Sequence, residues 1–239
     1  MKRMILKNLI DKAESHFLTN EFLPALDCYS QLIDVIGPQS YLFKKRGFCY
    51  RMLKDLDNAI EDYSKAIELD PHDNVTYWSR GACYNDRAFI KGKGKEERTE
   101  NLKTALYDYK YSLQLDPTSE EAWLALLDID LWLFRFYDAI SHYGECKPFI
   151  KNREYCLIRS WYGCIALALT DETIDNEDKR LLDDDTIRLK WYHWAVFAME
   201  LFFKELEQSG FEQKKVLEIM DIHHKFMKHF DDEPFNPIV

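Results

Sequence analysis

"NAIEDYSKAIELDPHDNVTYWSRGACY" occupies residues 58–84. In it Ala59, Tyr63, Ala66 and Pro71 are followed by Arg80 and Gly81, and the same letters recur at fixed distances on both sides. A shift of 34 lays Phe43 on Tyr77, Arg46 on Arg80, Gly47 on Gly81, Cys49 on Cys83 and Tyr50 on Tyr84. Backwards it lays Ala59 on Ala25, Tyr63 on Tyr29 and Gly47 on Ala13. The next step is 46: Ala59 meets Ala105, Tyr63 meets Tyr109, Pro71 meets Pro117 and Tyr77 meets Trp123. Then 34 returns, with Ala105 on Ala139 and Tyr109 on Tyr143. Four units follow, 6–39, 40–73, 74–119 and 120–153, the third with twelve extra residues.

The spacing has a physical reading. Phe43, Gly47 and Tyr50 stand at i, i+4 and i+7, on one stripe of a helix. Ala59, Tyr63 and Ala66 make the facing stripe, where small residues alternate with one large ring. Asp70-Pro71 ends the second helix, because the residue before proline avoids helical angles. One helix pair cannot bury its apolar face alone, so neighbouring pairs must stack.

A 34-residue helix pair with Phe43, Gly47, Tyr50, Ala59, Tyr63, Ala66 and Pro71 at these positions resembles the tetratricopeptide repeat family. The resemblance covers residues 6–153 and fits unit 40–73 best. Unit one departs from it with Gly37-Pro38 in place of Asp-Pro, and unit four with Leu127 in place of a small residue. It implies an all-α, right-handed superhelix of helix pairs with a concave face that holds peptide or protein segments. Residues 154–239 are expected to form a helical extension that caps the solenoid. One of its helices is expected over about 185–208, carrying Trp191, Trp194, Phe197, Met199, Phe202 and Phe203. Another is expected over 211–230, opened by a capping box from Ser209 to Glu212. A homodimer through these helices is the alternative cover for their apolar faces. The extra residues of unit three predict two lengthened, protruding helices joined by the Lys/Gly loop at 91–95, read as solvated or as a contact arm.

Charge narrows the function. The net charge of −10 lies wholly in the second half: residues 1–119 balance, and residues 120–239 carry the excess. That excludes the dense basic surface that nucleic acid needs and disfavours an anionic membrane surface. Lys7 and Asp11 interrupt the N-terminal apolar run before a signal-peptide core forms. The densest apolar run, 191–203, is too short to span a bilayer. The expectation is a soluble, cytoplasmic chain. The six cysteines include no C-x-x-C pair and read as buried free thiols, with Cys49 and Cys83 filling equivalent small positions.

No catalytic, cofactor or metal constellation stands out. His142 and Cys146 are four apart, but Cys146 holds the small buried position that Ala66 fills in unit two. His223, His224 and His229 lack the i, i+4 spacing of a closed zinc site. The acidic stretch 171–185 has no glycine where a calcium loop needs one.

At 100° per residue, the side of the first helices left facing the groove includes Tyr41, Lys44, Phe48 and Arg51 in unit two. In unit three it includes Val75, Trp78, Ala82 and Asn85, and in unit four Glu121, Leu124, Asp128 and Leu131. Tyr41, Lys44, Phe48, Arg51, Trp78, Asn85 and Asp128 are the candidate partner-binding residues. The chaperone-tail receptors of this family use a lysine–asparagine, asparagine, lysine–arginine clamp, and here only Lys44 matches it. The expected function is noncatalytic binding of a protein segment whose identity the sequence does not give. The alternative is a stoichiometric inhibitor, of the immunity-protein kind, for a basic effector, acting through the acidic second half.

Overall fold

The computed structural model describes residues 2–90, 94–189 and 199–230. Among them the chain is helical throughout, apart from one isolated bridge between Leu189 and Phe230. Three antiparallel pairs come first: α1 (Lys2–Leu18) with α2 (Phe22–Ile36), α3 (Ser40–Met52) with α4 (Leu56–Leu69), and α5 (Asn74–Ala88) with α6 (Lys95–Leu115). Then come α7 (Glu120–Trp132), α8 (Phe136–Cys146), α9 (Arg153–Leu169), α10 (Asn176–Leu182), α11 (Met199–Gln208) and α12 (Gln213–Met227). Each helix from α1 to α9 packs on the next, and α12 lies against α9.

The repeated letters do repeated jobs. Arg46 grips Asp62 with two hydrogen bonds of 2.7 Å and reaches Ser30 of the preceding pair. One period later Arg80 grips Asp108 at 2.9 and 2.8 Å and reaches Ser64. Each arginine therefore fastens its own pair and the pair before it. Asp55, Asp73, Ser119, Asn152 and Asp175 each accept a backbone N–H at a helix start, which satisfies donors the helix leaves unpaired.

A second recurrence lies in the backbone. Asn20, Lys54, Phe134 and Asp171 all take left-handed angles at the close of a first helix. In each case the next N–H reaches back across the turn, from Glu21 to His16, Asp55 to Tyr50, Arg135 to Asp130 and Glu172 to Leu167, at 2.8–2.9 Å. Gly210 repeats the turn between α11 and α12, with Phe211 bonded to Leu206. The turn between paired helices thus continues past residue 153, where the letter period stops: α9–α10 and α11–α12 are joined as the earlier pairs are.

Several expectations change. Residues 185–189 are turn and bridge, and helix α11 starts within the described residues at Met199. Trp191, Trp194 and Phe197 lie outside the described residues. Ser209 closes α11 instead of opening α12, because the left-handed Gly210 terminates the helix there; α12 begins after Glu212 without a side-chain cap. Residues 91–93 of the Lys/Gly loop also lie outside the described residues. The insertion lengthens α6 to 21 residues but α5 only to 15, and the added turns of α6 do not project as an arm. Arg98 is buried in an ion pair with Glu205 of α11, Leu102 is in the core, and Phe89 packs 4.7 Å from Trp132. The insertion is a brace between the third pair and the C-terminal helices.

The acidic stretch also turns inward. Asp178 is fully buried, accepting from Ser160 at 2.6 Å and from Tyr143, beside Arg159. Asp171 pairs with Lys215, Glu177 with Lys147 and Asp184 with Arg153. With Asp175 capping α10, five carboxylates of 171–185 are engaged within the chain, which weakens that stretch as a docking face for a basic effector.

Candidate functional site

The first helices of the second to fifth pairs, α3, α5, α7 and α9, line one side of the stack and enclose a cavity of about 340 Å³. Trp78 and Ala82 come from α5, Glu121, Leu124 and Ala125 from α7, Tyr155 and Tyr162 from α9, Arg51 and Met52 from the end of α3. Tyr109 of α6 reaches it from behind. The helical period explains the set, since Trp78–Ala82 and Glu121–Leu124–Ala125 fall at i, i+3 or i+4 on the face away from the second helices.

The candidate residues separate into three groups. Arg51 and Trp78 stand at the cavity, with the Arg51 guanidinium 6.0 Å from the Trp78 ring. Arg51 Nε donates to Asp86 at 2.9 Å, so its charge is offset within the chain. Lys44, Phe48 and Tyr41 do not line the cavity. Lys44 Nζ sits 2.5 Å from Asp73, the cap of α5. Burial acts to raise the Asp73 carboxyl, but hydrogen bonds from Lys44 and Thr76 outweigh it and hold it below its ordinary value. The Phe48 ring packs 5.2 Å from Phe17 and 5.9 Å from Phe22, and Tyr41 is 45% exposed.

Asn85 and Asp128 form the third group. They are enclosed, at 0% and 2% exposure, behind the cavity wall. Asp128 accepts from Tyr162 at 3.2 Å through one oxygen, while its other oxygen, both polar atoms of Asn85 and the Tyr109 hydroxyl have no hydrogen-bond partner. Burial pushes the Asp128 carboxyl, and the Tyr109 and Tyr162 phenols, well above their ordinary ranges. Neither Asn85 nor Asp128 lines the cavity. The α9 contribution, Tyr155 and Tyr162, was not read from sequence, because the letter period fades before α9.

The charged lining residues, Lys44 and Arg51 of unit two and Glu121 and Asp128 of unit four, are not left as opposed free charges in space. Lys44 and Arg51 are matched by Asp73, the cap of α5, and by Asp86 of α5. Glu121 stands exposed at the mouth, 3.5 Å from the Tyr155 hydroxyl.

The chemistry elsewhere is structural. His142 turns to the buried Asp130 at 2.6 Å, while Cys146 donates to the Tyr143 carbonyl and burial pushes its thiol up to about 12. Cys49 and Cys83 are fully buried and are likewise pushed up, to about 11 and about 12. His229 faces two backbone carbonyls and His223 lies between Trp161 and Phe203. Among the described residues no group of three or more His, Cys, Asp or Glu side chains is placed to hold a metal ion.

Residues 40–73 match the family model described as tetratricopeptide repeat. Dynein axonemal assembly factor 4 of Rattus norvegicus is 32% identical over 114 residues, 46% of this chain and 26% of that protein. Serine/threonine-protein phosphatase T of Aspergillus oryzae is 29% identical over 219 residues, 88% of this chain and 43% of that protein. The chain therefore spans about a quarter of the first relative and less than half of the second. A thermophilic TPR protein from Thermus thermophilus superposes with a TM-score of 0.56 at 11% identity, covering 91% of this chain and 98% of that one. MamA superposes at 0.57 with 14% identity, covering 87% and 95%. These superpositions show the same fold along nearly the whole chain, and the family model places a tetratricopeptide repeat at residues 40–73.

Proposed function

We propose that the chain is a noncatalytic scaffold that holds a segment of a protein partner along its concave face, anchored at the cavity between α3, α5, α7 and α9. The observation that carries this reading is a half-buried tryptophan and three tyrosines around one cavity, rimmed by charged side chains. Aromatic anchors in a partly desolvated pocket with a polar rim are the usual pattern of a binding hot spot. The relatives point the same way. An assembly factor and a phosphatase are named for different activities, yet each shares a segment with this chain, as expected of a binding module carried by proteins of different activity. The six free thiols, five of them buried, suit a reducing compartment and favour a cytoplasmic place of work.

A photo-crosslinking side chain at Met52, on the cavity rim, tests the reading against the same group at Tyr137, a 74% exposed position on α8. A partner captured from position 52 and not from 137 supports the groove. Capture from 137 alone moves the binding face elsewhere and overturns it.

A further inference from the structure

The groove reading leaves open what kind of side chain fills the cavity. The walls answer part of it. Trp78, Tyr155 and Tyr162 present aromatic surface, and Leu124 and Met52 present aliphatic surface, so the occupant has an apolar body. The charges answer the rest. Arg51 is tied to Asp86, Lys44 to Asp73, Lys45 to Glu14 and Arg46 to Asp62, so the cations of the neighbouring helix are already matched. Glu121 stands exposed at the mouth, 3.5 Å from the Tyr155 hydroxyl and with no ion-pair partner among the described residues. The surplus at the cavity is therefore negative, and it sits beside aromatic rings. An anionic side chain entering there would meet the Glu121 carboxylate and no unmatched cation. A cation on an apolar stem gains from the ring faces and from Glu121 together.

We infer that the cavity takes one lysine or arginine side chain of the bound partner segment, its methylenes along Leu124 and Met52 and its charge at Glu121. The inference rests on the groove reading above, and it gives that reading a sign.

The test uses fluorescent peptide pools, degenerate except for one central position fixed as Arg, Lys, Leu or Glu, titrated against the full chain by polarisation. The Arg and Lys pools bind about fivefold tighter than the Leu and Glu pools. Glu121→Gln reduces that preference to less than about twofold, and Glu121→Lys shifts it toward the Glu pool. Because Glu121 is exposed, both variants keep the helical spectrum and melting temperature of the parent chain. A preference for Leu or Glu in the parent, or an Arg/Lys preference that survives Glu121→Gln, overturns the inference; Trp78→Ala then separates the two readings. Loss of all pools in Trp78→Ala keeps the groove and discards only the cationic anchor. Pools that bind independently of Trp78, or no binding by the parent, remove the groove and the inference with it.

Discussion

The pairs α1–α2 and α3–α4 share their left-handed turn with the pairs of α7–α12, but the two halves bury their surfaces differently. In the first half a local contact recurs: an arginine clamps an aspartate and reaches a serine of the preceding pair, at Arg46 and again at Arg80. Small separate core clusters result, one around Tyr29 and Leu32 and one around Tyr63 and Cys83. From the end of α5 onward one continuous core runs through α6 and the second half, from Ala88 to Phe226. Every residue of α7 from Ala122 to Trp132 is buried, as is every residue of α9 from Leu157 to Leu169. α12 covers α9 through Trp161 stacked 4.3 Å from Phe226, and α11 covers the end of α7 through Phe202 and Trp132. A stack with nearest-neighbour contacts gains stability unit by unit, whereas an enclosed helix is tolerated only when all its neighbours are in place. The candidate pocket lies on the seam, with α3 and α5 from the repetitive part and α7 and α9 from the enclosed part.

This contrast is broken most sharply by the buried clamps. Asp108 has no exposed side-chain surface, so Arg80→Ala leaves a buried carboxylate without its partner and costs about 3 kcal/mol in urea unfolding. Arg153→Ala, at an exposed pair with Asp184, changes the midpoint by less than about 0.5 kcal/mol. Equal effects would mean that the repeated clamp is not what holds the first half.

Three glycines sharpen the comparison. A Cβ on Gly163 of α9 would lie 2.5 Å from the Tyr143 ring, and that ring is held by its hydroxyl bond to Asp178. A Cβ on Gly81 would meet the Tyr109 ring at 2.8 Å, and one on Gly47 would meet nothing closer than 3.3 Å. Gly163→Ala therefore destabilises by about 2–3 kcal/mol and Gly81→Ala by about 1–2 kcal/mol. At Gly47 the contact strain is offset by a helix-propensity gain of about 0.5–1 kcal/mol, leaving the midpoint nearly unchanged. A reversed order, measured by thermal unfolding, would place the tighter packing in the repetitive half.

Acid separates the halves more gently. Burial, with His224 adding to it, pushes the His223 imidazole down to about 4. The rings of Trp161, Phe203 and His224 surround it. The unfolded chain then takes up the proton first. Stability is full above about pH 6.5 and falls toward pH 4, by at most about 1.4 kcal/mol per pH unit. His223→Phe flattens that slope in a chemical-denaturation series. An unchanged slope would assign the acid sensitivity to other groups.

The 34-residue period made the first pairs and the face they turn inward readable from letters, because the same small and aromatic residues recur wherever two helices approach. The pairs α9–α10 and α11–α12 escaped that reading. What they share with the others is a backbone turn, and its left-handed position is taken by Asn20, Lys54, Phe134, Asp171 and Gly210, which have no side chain in common. Gly210 was the available signal for the end of α11, and the Ser209–Glu212 pattern concealed it. Arg98 and Glu205 pair across 107 positions, a separation that no local pattern reports. At the candidate site, Trp78, Arg51 and Glu121 were legible from helical spacing. The depth of Asn85 and Asp128 was not, because it depends on α6 and on α9, which lies outside the repeat.

The most direct test of the groove is the affinity of a captured partner for Trp78→Ala, with Tyr137→Ala as the outward-facing comparison and thermal unfolding as the check on folding. The account predicts that Trp78→Ala weakens binding by about 2 kcal/mol, roughly thirtyfold, and that Tyr137→Ala leaves it unchanged. Unaltered affinity in a folded Trp78→Ala protein would contradict it.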